Sequence, residues 1–156
     1  MYWNIYKRGR SNMKKIIIIC VILLFIGVAW YYIRHPLETR IQIGHTIFTV
    51  ELAITAAEKE KGLGYRDNLG KNHGMLFPYD HPEKYSFWMK GMRFPIDILW
   101  IRDSKIVDIS KNVPVATTSV LPVYSPREPV NQVLELGAGT SDQEGIKTGD
   151  TLQVLK

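Results

Sequence analysis

Only one cysteine, Cys20, occurs among the 156 residues of the chain. An intramolecular disulfide is therefore impossible, and the chain outside the apolar N-terminal run has no thiol to act as a nucleophile or to bind a soft metal. A lipidated cysteine follows a small residue, whereas Cys20 follows four isoleucines. We interpret Cys20 as an ordinary residue of an apolar helix, and we exclude disulfide scaffolds and thiol enzymes.

The chain beyond its first 34 residues also lacks an excess of positive charge. The net charge is +5, but those 34 residues contain no acidic residue and six of the 20 basic ones: Lys7, Arg8, Arg10, Lys14, Lys15 and Arg34. The remainder has 14 basic and 15 acidic residues, which gives a net charge of −1. Binding to a nucleic-acid backbone needs a basic surface, so we expect no nucleic-acid partner.

Common catalytic and cofactor motifs are missing as well. The sequence has no Gly-x-Ser-x-Gly elbow and no glycine-rich phosphate loop. His73, Asp80 and His81 are the nearest approach to a metal-binding pattern, but they fall in expected loops without a tight ligand spacing. We predict no metal and no cofactor.

One long apolar run, Ile16 to Ile33, is present and contains no charged residue. A helix of this length spans about 27 Å, close to the hydrocarbon thickness of a bilayer. Trp30, Tyr31 and Tyr32 lie at its far end, as aromatic residues do at a membrane interface. Basic residues are concentrated before the run, which places the N-terminus in the cytoplasm and the domain outside. We predict a single-pass membrane anchor.

A cleaved signal peptide is the alternative interpretation of the same run. Gly27-Val28-Ala29 is an acceptable cleavage site of small residues, and cleavage near Ala29 would give a secreted protein. Both interpretations export the rest of the chain. The expected organisation is a basic cytoplasmic tail at 1–15, the anchor at 16–33, a linker at 34–40 and an extracytoplasmic β domain at 41–156.

Most of that domain follows the polar–apolar alternation of β-strands. The predicted elements, in chain order, are a hairpin of strands 40–43 and 46–54, a helix 56–61 with a capping box from Thr55 and Glu58, strands 74–77 (stopped by Pro78), 85–90, 96–102, 105–109, 119–124 and 131–136, a second capping box at 141–144, and a last strand 151–155. The loop between 85–90 and 96–102 suits a hairpin, although a wider connection is also compatible. Long helices are absent, so we predict a mostly β fold, a compact antiparallel β-sandwich or barrel.

Several short segments together resemble a known prokaryotic family, domain of unknown function 192. They are Gly62-Leu63, Arg66, Gly74-Met75-Leu76-Phe77, Phe87-Trp88-Met89-Lys90, Pro95-Ile96-Asp97-Ile98, Val133-Leu134-Glu135 and Gly149-Asp150. The resemblance extends from about Ile43 to Val154. It implies a compact jelly-roll-like β fold behind a signal or anchor, and it brings no established activity.

The chain departs from the usual pattern of that family in two places. Gly64 stands where methionine usually follows Gly-Leu, and Gly91-Met92 stands where an Asn-Thr pair usually follows Trp-Met-Lys. If the second loop borders a ligand site, its polar side chains are missing in this chain.

Lys90 and Asp97 are the unusual charges, because each lies in a run that otherwise predicts a buried strand. A buried charge is costly unless it is paired or hydrogen-bonded. If residues 90 and 97 are opposite each other, the two side chains share a face and can pair. If residue 89 is opposite 97 instead, the two side chains point to opposite faces. We consider a buried pair lining a pocket, together with Arg66 and Glu135, and alternatively a structural ion pair or charges that snorkel to a rim. Trp88 and its apolar neighbours would line an apolar cleft or, as aromatic residues usually do, fill the core.

These observations favour a non-catalytic, membrane-anchored binding or accessory domain. Its partner would be a small molecule, a glycan or an envelope protein, in addition to the membrane contacted by residues 16–33. An envelope hydrolase is the first alternative, with Asp97 or Glu135 as the carboxylate and Lys90 or Arg66 beside it. A structural interaction module without a pocket is the second.

Overall fold

The computed structural model describes residues 2–34, 37–117 and 121–155. The chain divides into two compact units, Met1–Pro36 and Leu37–Lys156. Part of the predicted linker, residues 35 and 36, lies outside the described residues. Its last residues are not a linker, because Glu38 to Arg40 already belong to the first strand of the second unit.

The first unit is a single helix, α1, from Tyr2 to Arg34. Its stretch Met13–Tyr31 has a mean hydropathy of 2.4 and is long and apolar enough to cross a membrane. A signal sequence near the N-terminus has the same properties, so the helix fits either an anchor or a signal.

The second unit is built almost wholly of strands. Its elements are β1 (Glu38–Ile43), β2 (Thr46–Leu52), α2 (Ala56–Lys61), β3 (His73–Glu83), β4 (Phe87–Trp88), β5 (Ile96–Arg102), β6 (Lys105–Val113), β7 (Val123–Tyr124), β8 (Val130–Gly137), α3 (Thr140–Gln143) and β9 (Leu152–Leu155). The predicted mostly β fold is confirmed. Residues 119 and 120 of the predicted strand 119–124 lie outside the described part of the chain.

Seven strands form one sheet in the order β6-β5-β8-β3-β2-β1-β9. Every pairing in it is antiparallel except the parallel pairing of β2 with β3. The two ends of the sheet approach each other, because Lys105 bridges to Thr151 and the Leu152 N–H donates to the Ser104 carbonyl. The sheet therefore curls into a partly closed barrel, while β4 and β7 form a separate two-stranded ribbon.

Alternation along the strands divides the core between the two faces of the sheet. One face contributes to the pocket-side core, which contains Met75, Phe77, Ile98, Trp100 and Val133 among other buried residues. The opposite face contributes to the barrel core, which contains Ile41, Phe48, Leu76, Leu99, Ile101, Leu134 and Leu136 among others. Strand β5, which lies between β6 and β8, is buried along nearly its whole length because it supplies both cores.

Local sequence signals of three kinds hold in the structure. The β1–β2 hairpin pairs with the predicted residues, and Asp103-Ser104 turns the chain into β6 with positive φ at both residues, as in a type I′ turn. The first capping box is complete: Glu58 N–H donates to Thr55 Oγ1, and Glu58 Oε2 accepts from the Thr55 N–H.

The expected end of β3 at Pro78 is wrong, because the strand continues to Glu83. β2 pairs with β3 only as far as Leu76, so Pro78 lies where one edge of β3 has no partner strand and its missing N–H breaks no ladder bond. The predicted second capping box is also wrong. Gly139 precedes α3 and no side chain caps it, since the Ser141 hydroxyl donates elsewhere.

The expected hairpin between strands 85–90 and 96–102 does not form. β4 is reduced to Phe87–Trp88 and pairs with β7, whereas β5 pairs with β6 and β8. Strand β8 takes the place beside β5 that β4 was expected to occupy, although β8 follows β5 in the chain only after β6 and β7.

Candidate functional site

A pocket of about 210 Å³ opens between the end of α2, strand β3 and the β4 ribbon. Its floor and walls are apolar and aromatic, and its rim carries charged side chains. The lining residues are Lys59, Glu60, Lys61, Gly62, Leu63, Phe77, Tyr79, Ser86, Phe87, Trp88, Lys90, Met92 and Glu135.

Glu135 lies on β8 on the pocket side of the sheet, beside Ile98 of β5 and Met75 of β3. Only 5% of the residue is exposed. The backbone N–H of Leu63 donates a hydrogen bond to its carboxyl group. Its Oε2 atom is one of only two buried side-chain polar atoms without a hydrogen-bond partner in the described residues, the other being Gln132 Oε1. A buried polar atom of this kind is unusual and calls for an explanation.

Burial raises the pKa of the Glu135 carboxyl to about 8 from an ordinary value of 4.5. The Leu63 hydrogen bond and the positive charge of Arg66 lower the pKa, but they do not offset the loss of solvent around the carboxylate. The carboxyl group is therefore mostly protonated at neutral pH, and it can both donate and accept a hydrogen bond.

Gly62 covers the Glu135 carboxyl at the C-terminus of α2. A methyl group placed on Gly62 would stand 3.6 Å from Glu135 Oε2 and 3.5 Å from the Phe77 ring. The backbone of Gly62 has φ of +51° and ψ of −137°, a conformation that strains every residue with a side chain. Glycine at this position therefore leaves open the space beside Glu135 Oε2 that a side chain would fill.

Arg66 stands behind the pocket and does not line it. Its guanidinium forms a bidentate pair with Glu51, in which Nη2 donates to Oε2 at 2.6 Å and Nη1 donates to Oε1. The hydrogen bonds that Arg66 donates to Glu51 hold the pKa of Arg66 above its usual range. Arg66 acts on Glu135 through its positive charge, which lowers the pKa of that carboxyl.

Three lysines occupy the rim of the pocket. Lys59 is anchored, since its Nζ donates to the Pro78 carbonyl at 2.6 Å and lies 4.1 Å from the centre of the Tyr79 ring. Lys90 is 3.8 Å from Glu60 and its side chain is 55% exposed. The side-chain ammonium group of Lys61 has neither a hydrogen bond nor an ion pair with any residue that the structure describes. Two of the three ammonium groups are thus available to a ligand.

Aromatic rings form the wall. Phe87 packs edge-on against both Phe77 and Trp100, with ring centroids 5.0 and 5.6 Å apart. Tyr79 stacks on Tyr85 at 3.5 Å, and burial raises the pKa of Tyr79 to about 12. These contacts fix the wall, whereas the neighbouring Trp88 is 44% exposed at the mouth of the pocket.

Asp97 is fully buried but does not belong to the pocket. Its Oδ1 accepts from the backbone N–H groups of Asn112 at 2.8 Å and Gly139 at 3.2 Å, and its Oδ2 accepts from the N–H and hydroxyl of Ser141 at 2.8 and 2.7 Å. The carboxylate therefore ties the end of β6 to the turn before α3. The expected Lys90–Asp97 pair is wrong, because Lys90 is exposed beside Glu60 and the strands proposed to carry the pair are not neighbours.

Of the five predicted site residues, Trp88, Lys90 and Glu135 come together in the pocket, Arg66 lies behind it and Asp97 is elsewhere. Sequence reasoning missed Lys59 and Lys61, which fall in a charged run typical of a solvated helix face, and it missed Tyr79. A usable signal was present, because four segments that carry the family resemblance all reach this pocket: Gly62-Leu63, Phe77, Phe87-Trp88 with Lys90, and Glu135.

The histidines considered for a metal are spread out. His73 Nδ1 is 2.9 Å from the Lys71 carbonyl, and His81 is exposed 3.8 Å from Glu83. Within residues 2–34, 37–117 and 121–155, no group of three or more histidine, cysteine, aspartate or glutamate side chains is arranged to hold a metal ion.

Two crystal structures share this fold. A protein from Sinorhizobium meliloti 1021, described as a candidate transcription regulator, is 35% identical, with a TM-score of 0.70 over 76% of this chain and 95% of its own. A protein of unknown function from Novosphingobium aromaticivorans DSM 12444 is 30% identical, with a TM-score of 0.68 over 74% of this chain and 84% of its own.

The family comparison points the same way. No curated protein shows significant similarity to the chain. The pattern of the family described as "Uncharacterized ACR", domain of unknown function 192, matches residues 39–154, which is nearly all of the second unit. This chain therefore belongs to the family of domain of unknown function 192.

Proposed function

We propose that the second unit is a binding domain that takes a small polar molecule into the Glu135 pocket. The observation that carries the proposal is Glu135 Oε2, a buried oxygen without a partner at the base of an open pocket. An unmet buried polar atom costs about 1–3 kcal/mol, and a ligand that hydrogen-bonds to it recovers that energy on binding. A module used only for packing has no need of this arrangement.

The helix α1 would hold this domain at a membrane as a single-pass anchor. Five basic residues before the apolar run favour an N-terminus in the cytoplasm and a domain outside. An impermeant maleimide applied to sealed cells tests this orientation in a Lys84→Cys variant that also carries Cys20→Ser. Labelling of Lys84→Cys before lysis, on a chain whose mass still includes α1, supports an external anchored domain. Labelling only after lysis contradicts an external domain. A measured mass that corresponds to a chain cleaved near Ala29 shows a cleaved signal peptide.

The binding role is tested with the full chain in detergent micelles. A thermal-shift screen would cover saccharides, sugar phosphates, carboxylic acids, amines, nucleotides and metal ions. We expect a stabilising compound whose effect disappears in Glu135→Leu, which removes both hydrogen-bonding functions of the carboxyl. Glu135→Gln should retain part of the effect, because an amide resembles a protonated carboxyl group. Glu83→Gln is the matched control, since Glu83 is exposed outside the pocket.

A screen without any hit, or hits that bind Glu135→Leu as well as the unmodified chain, would refute a binding role for this pocket. The domain would then be better described as a structural interaction module that has no ligand pocket.

A hydrolase is the second candidate, supported by the raised pKa of Glu135, which a general acid requires. The register opposes a pairing of Asp97 with Glu135 as its two carboxylates, because they lie on opposite faces of the sheet. Turnover of a ligand found in the screen, abolished in Glu135→Gln while binding persists, would favour the hydrolase.

A further inference from the structure

The Glu135 pocket has a neighbour. A second hollow of about 220 Å³ is lined by Ala57, Glu60, Lys61, Tyr65 and Lys90. Glu60, Lys61 and Lys90 line both hollows and form the ridge between them. Each hollow is smaller than the pocket of a drug-sized ligand, which is about 300–1,000 Å³, so each suits a ligand unit of about one ring.

Positive charge is concentrated on this ridge and its surroundings. Lys59, Lys61 and Lys90 face one carboxylate, Glu60, around the first hollow, although the chain beyond residue 34 has a net charge of −1. The ammonium group of Lys61 has no partner in the part of the chain that the structure describes, and that of Lys90 is only loosely paired with Glu60 at 3.8 Å. The ridge therefore favours an anionic group over a cationic one.

An exposed aromatic ring borders each hollow. Trp88 is 44% exposed at the first and Tyr65 is 62% exposed at the second. Tyr65 adopts φ of +66°, an uncommon conformation for a bulky side chain, and its N–H donates to the Gly91 carbonyl at 2.8 Å. The backbone of Tyr65 is therefore strained although its ring is largely in solvent. Backbone strain of this kind clusters at functional positions.

Gly64 and Gly91, which distinguish this chain from the usual family pattern, allow the Tyr65 ring and the two lysines to lie where they do. A methyl group on Gly91 would stand 2.8 Å from the Tyr65 ring, so the ring lies directly against the Gly91 backbone. A methyl group on Gly64 would stand 2.8 Å from the Lys61 carbonyl and 3.1 Å from the Lys90 carbonyl. With asparagine at 91 or methionine at 64, the ring and the two lysines could not keep these positions.

We propose that the two hollows together bind an acidic saccharide of two ring units, with its carboxylate or phosphate on the ridge between Lys61 and Lys90. A hydroxyl of one unit hydrogen-bonds to Glu135, and the apolar faces of the rings pack on Trp88 and Tyr65. This inference rests on the binding function proposed for the Glu135 pocket and specifies its ligand class. A saccharide fits because it supplies both hydroxyl groups and carbon-bound hydrogens that pack on aromatic rings.

The experiment uses the full chain in detergent micelles on an array of acidic and neutral glycans. We expect retention on uronic-acid or phosphorylated glycans and not on their neutral counterparts. Digalacturonate and neutral galactobiose then serve as matched probes in calorimetry, with the acidic probe binding at least tenfold more tightly. Binding of the acidic probe should weaken as salt rises, because the lysines on the ridge are solvent-exposed.

Matched variants assign the roles. The double variant Lys61→Gln with Lys90→Gln should lose at least tenfold in affinity for digalacturonate, whereas Lys71→Gln with Lys84→Gln, which removes the same charge from exposed positions outside both hollows, should change it less than twofold. Tyr65→Ala should weaken digalacturonate but not the monosaccharide galacturonate, since only the longer probe reaches the second hollow. Nanodiscs with and without an acidic glycolipid distinguish a lipid headgroup from a free saccharide as the source.

Equal binding of neutral and acidic probes, or no retention of any acidic glycan, would overturn this inference. It is also overturned, while the binding function stands, if Glu135-dependent stabilisation comes from amines or nucleotides and from no saccharide. If no compound stabilises the chain in a way that depends on Glu135, both the binding function and the saccharide inference are refuted.

Discussion

Asp97 and Glu135 belong to neighbouring paired strands, yet their carboxyl groups project from opposite faces of the sheet. Asp97 lies opposite Leu136 and Ile98 lies opposite Glu135, so the period-two alternation of side chains separates the two acids. Four donors surround the Asp97 carboxylate, whereas one oxygen of Glu135 has none. The first acid maintains the fold, and the second is available for binding.

Replacing Asp97 should destabilise the domain severely. In Asp97→Ala three backbone N–H groups and the Ser141 hydroxyl lose a charged acceptor in a buried place, and we expect a loss of about 3 kcal/mol or more. Urea denaturation of residues 37–156, followed by tryptophan fluorescence, measures it. Asp67→Ala is the control, because that acid only forms an exposed pair with Arg93 and should cost less than about 1 kcal/mol. Similar losses in the two variants would show that the Asp97 cluster contributes little.

Glu135 should make the domain less stable as the pH rises. Its pKa is about 8 in the fold and near 4.5 when unfolded, so between these values the folded state binds a proton that the unfolded state lacks. Stability then falls by up to about 1.4 kcal/mol per pH unit through that window and levels off above it.

The test compares the unmodified domain with Glu135→Gln in urea at a series of pH values from 5 to 9. The variant lacks the titrating group, so its stability relative to the unmodified domain should improve steadily up to about pH 8. Arg66, Tyr79 and the rim lysines are present in both proteins, and their contributions cancel. A constant difference across the series would contradict a raised pKa.

Arg66 should control the pKa of Glu135 from a distance. Its positive charge favours the carboxylate, so Arg66→Gln should move the titration of Glu135 to higher pH. Carbon-13 NMR of the side-chain carboxyl carbon follows the midpoint directly. Arg93→Gln serves as the control, because Arg93 pairs with the exposed Asp67. An unchanged midpoint in Arg66→Gln would mean that the guanidinium charge is neutralised by Glu51.

Gly64 should tolerate no side chain. The methyl group of an alanine at this position would meet the carbonyls of Lys61 and Lys90 at 2.8 and 3.1 Å, and backbone atoms cannot move aside as the end of a side chain can. We expect Gly64→Ala to cost about 1–3 kcal/mol. Gly137→Ala, where the nearest atom is Thr140 Oγ1 at 3.7 Å, should change the free energy of unfolding by less than about 0.5 kcal/mol. If both variants are equally stable, the contact between the two loops is loose.

Short-range signals predicted much of the fold. The apolar run of β5, the capping box of α2 and the turn at Asp103-Ser104 each depend on residues close together in sequence, and each holds in the structure. The quoted family segments predicted a resemblance from about Ile43 to Val154, close to the observed family match over residues 39–154.

Long-range pairing was beyond such signals. Nothing near residues 87–88 shows that β8 takes the place beside β5, so Lys90 was predicted in a hairpin that does not form. The partners of Asp97 are mostly backbone N–H groups from other segments, which no residue pattern reveals. Lys90 was chosen as an unusual charge, Glu135 as its possible companion and Trp88 as a possible lining residue, and the fold alone brings the three to one pocket.

The most direct test of the central claim is the titration of the Glu135 carboxyl carbon by NMR in the unmodified domain, with its signal assigned by its absence in Glu135→Gln. A buried carboxyl group with an unmet oxygen at the base of the pocket predicts a midpoint near 8. A midpoint near the ordinary value of 4.5 would show that the group is solvated or fully paired, and it would contradict the proposed binding site.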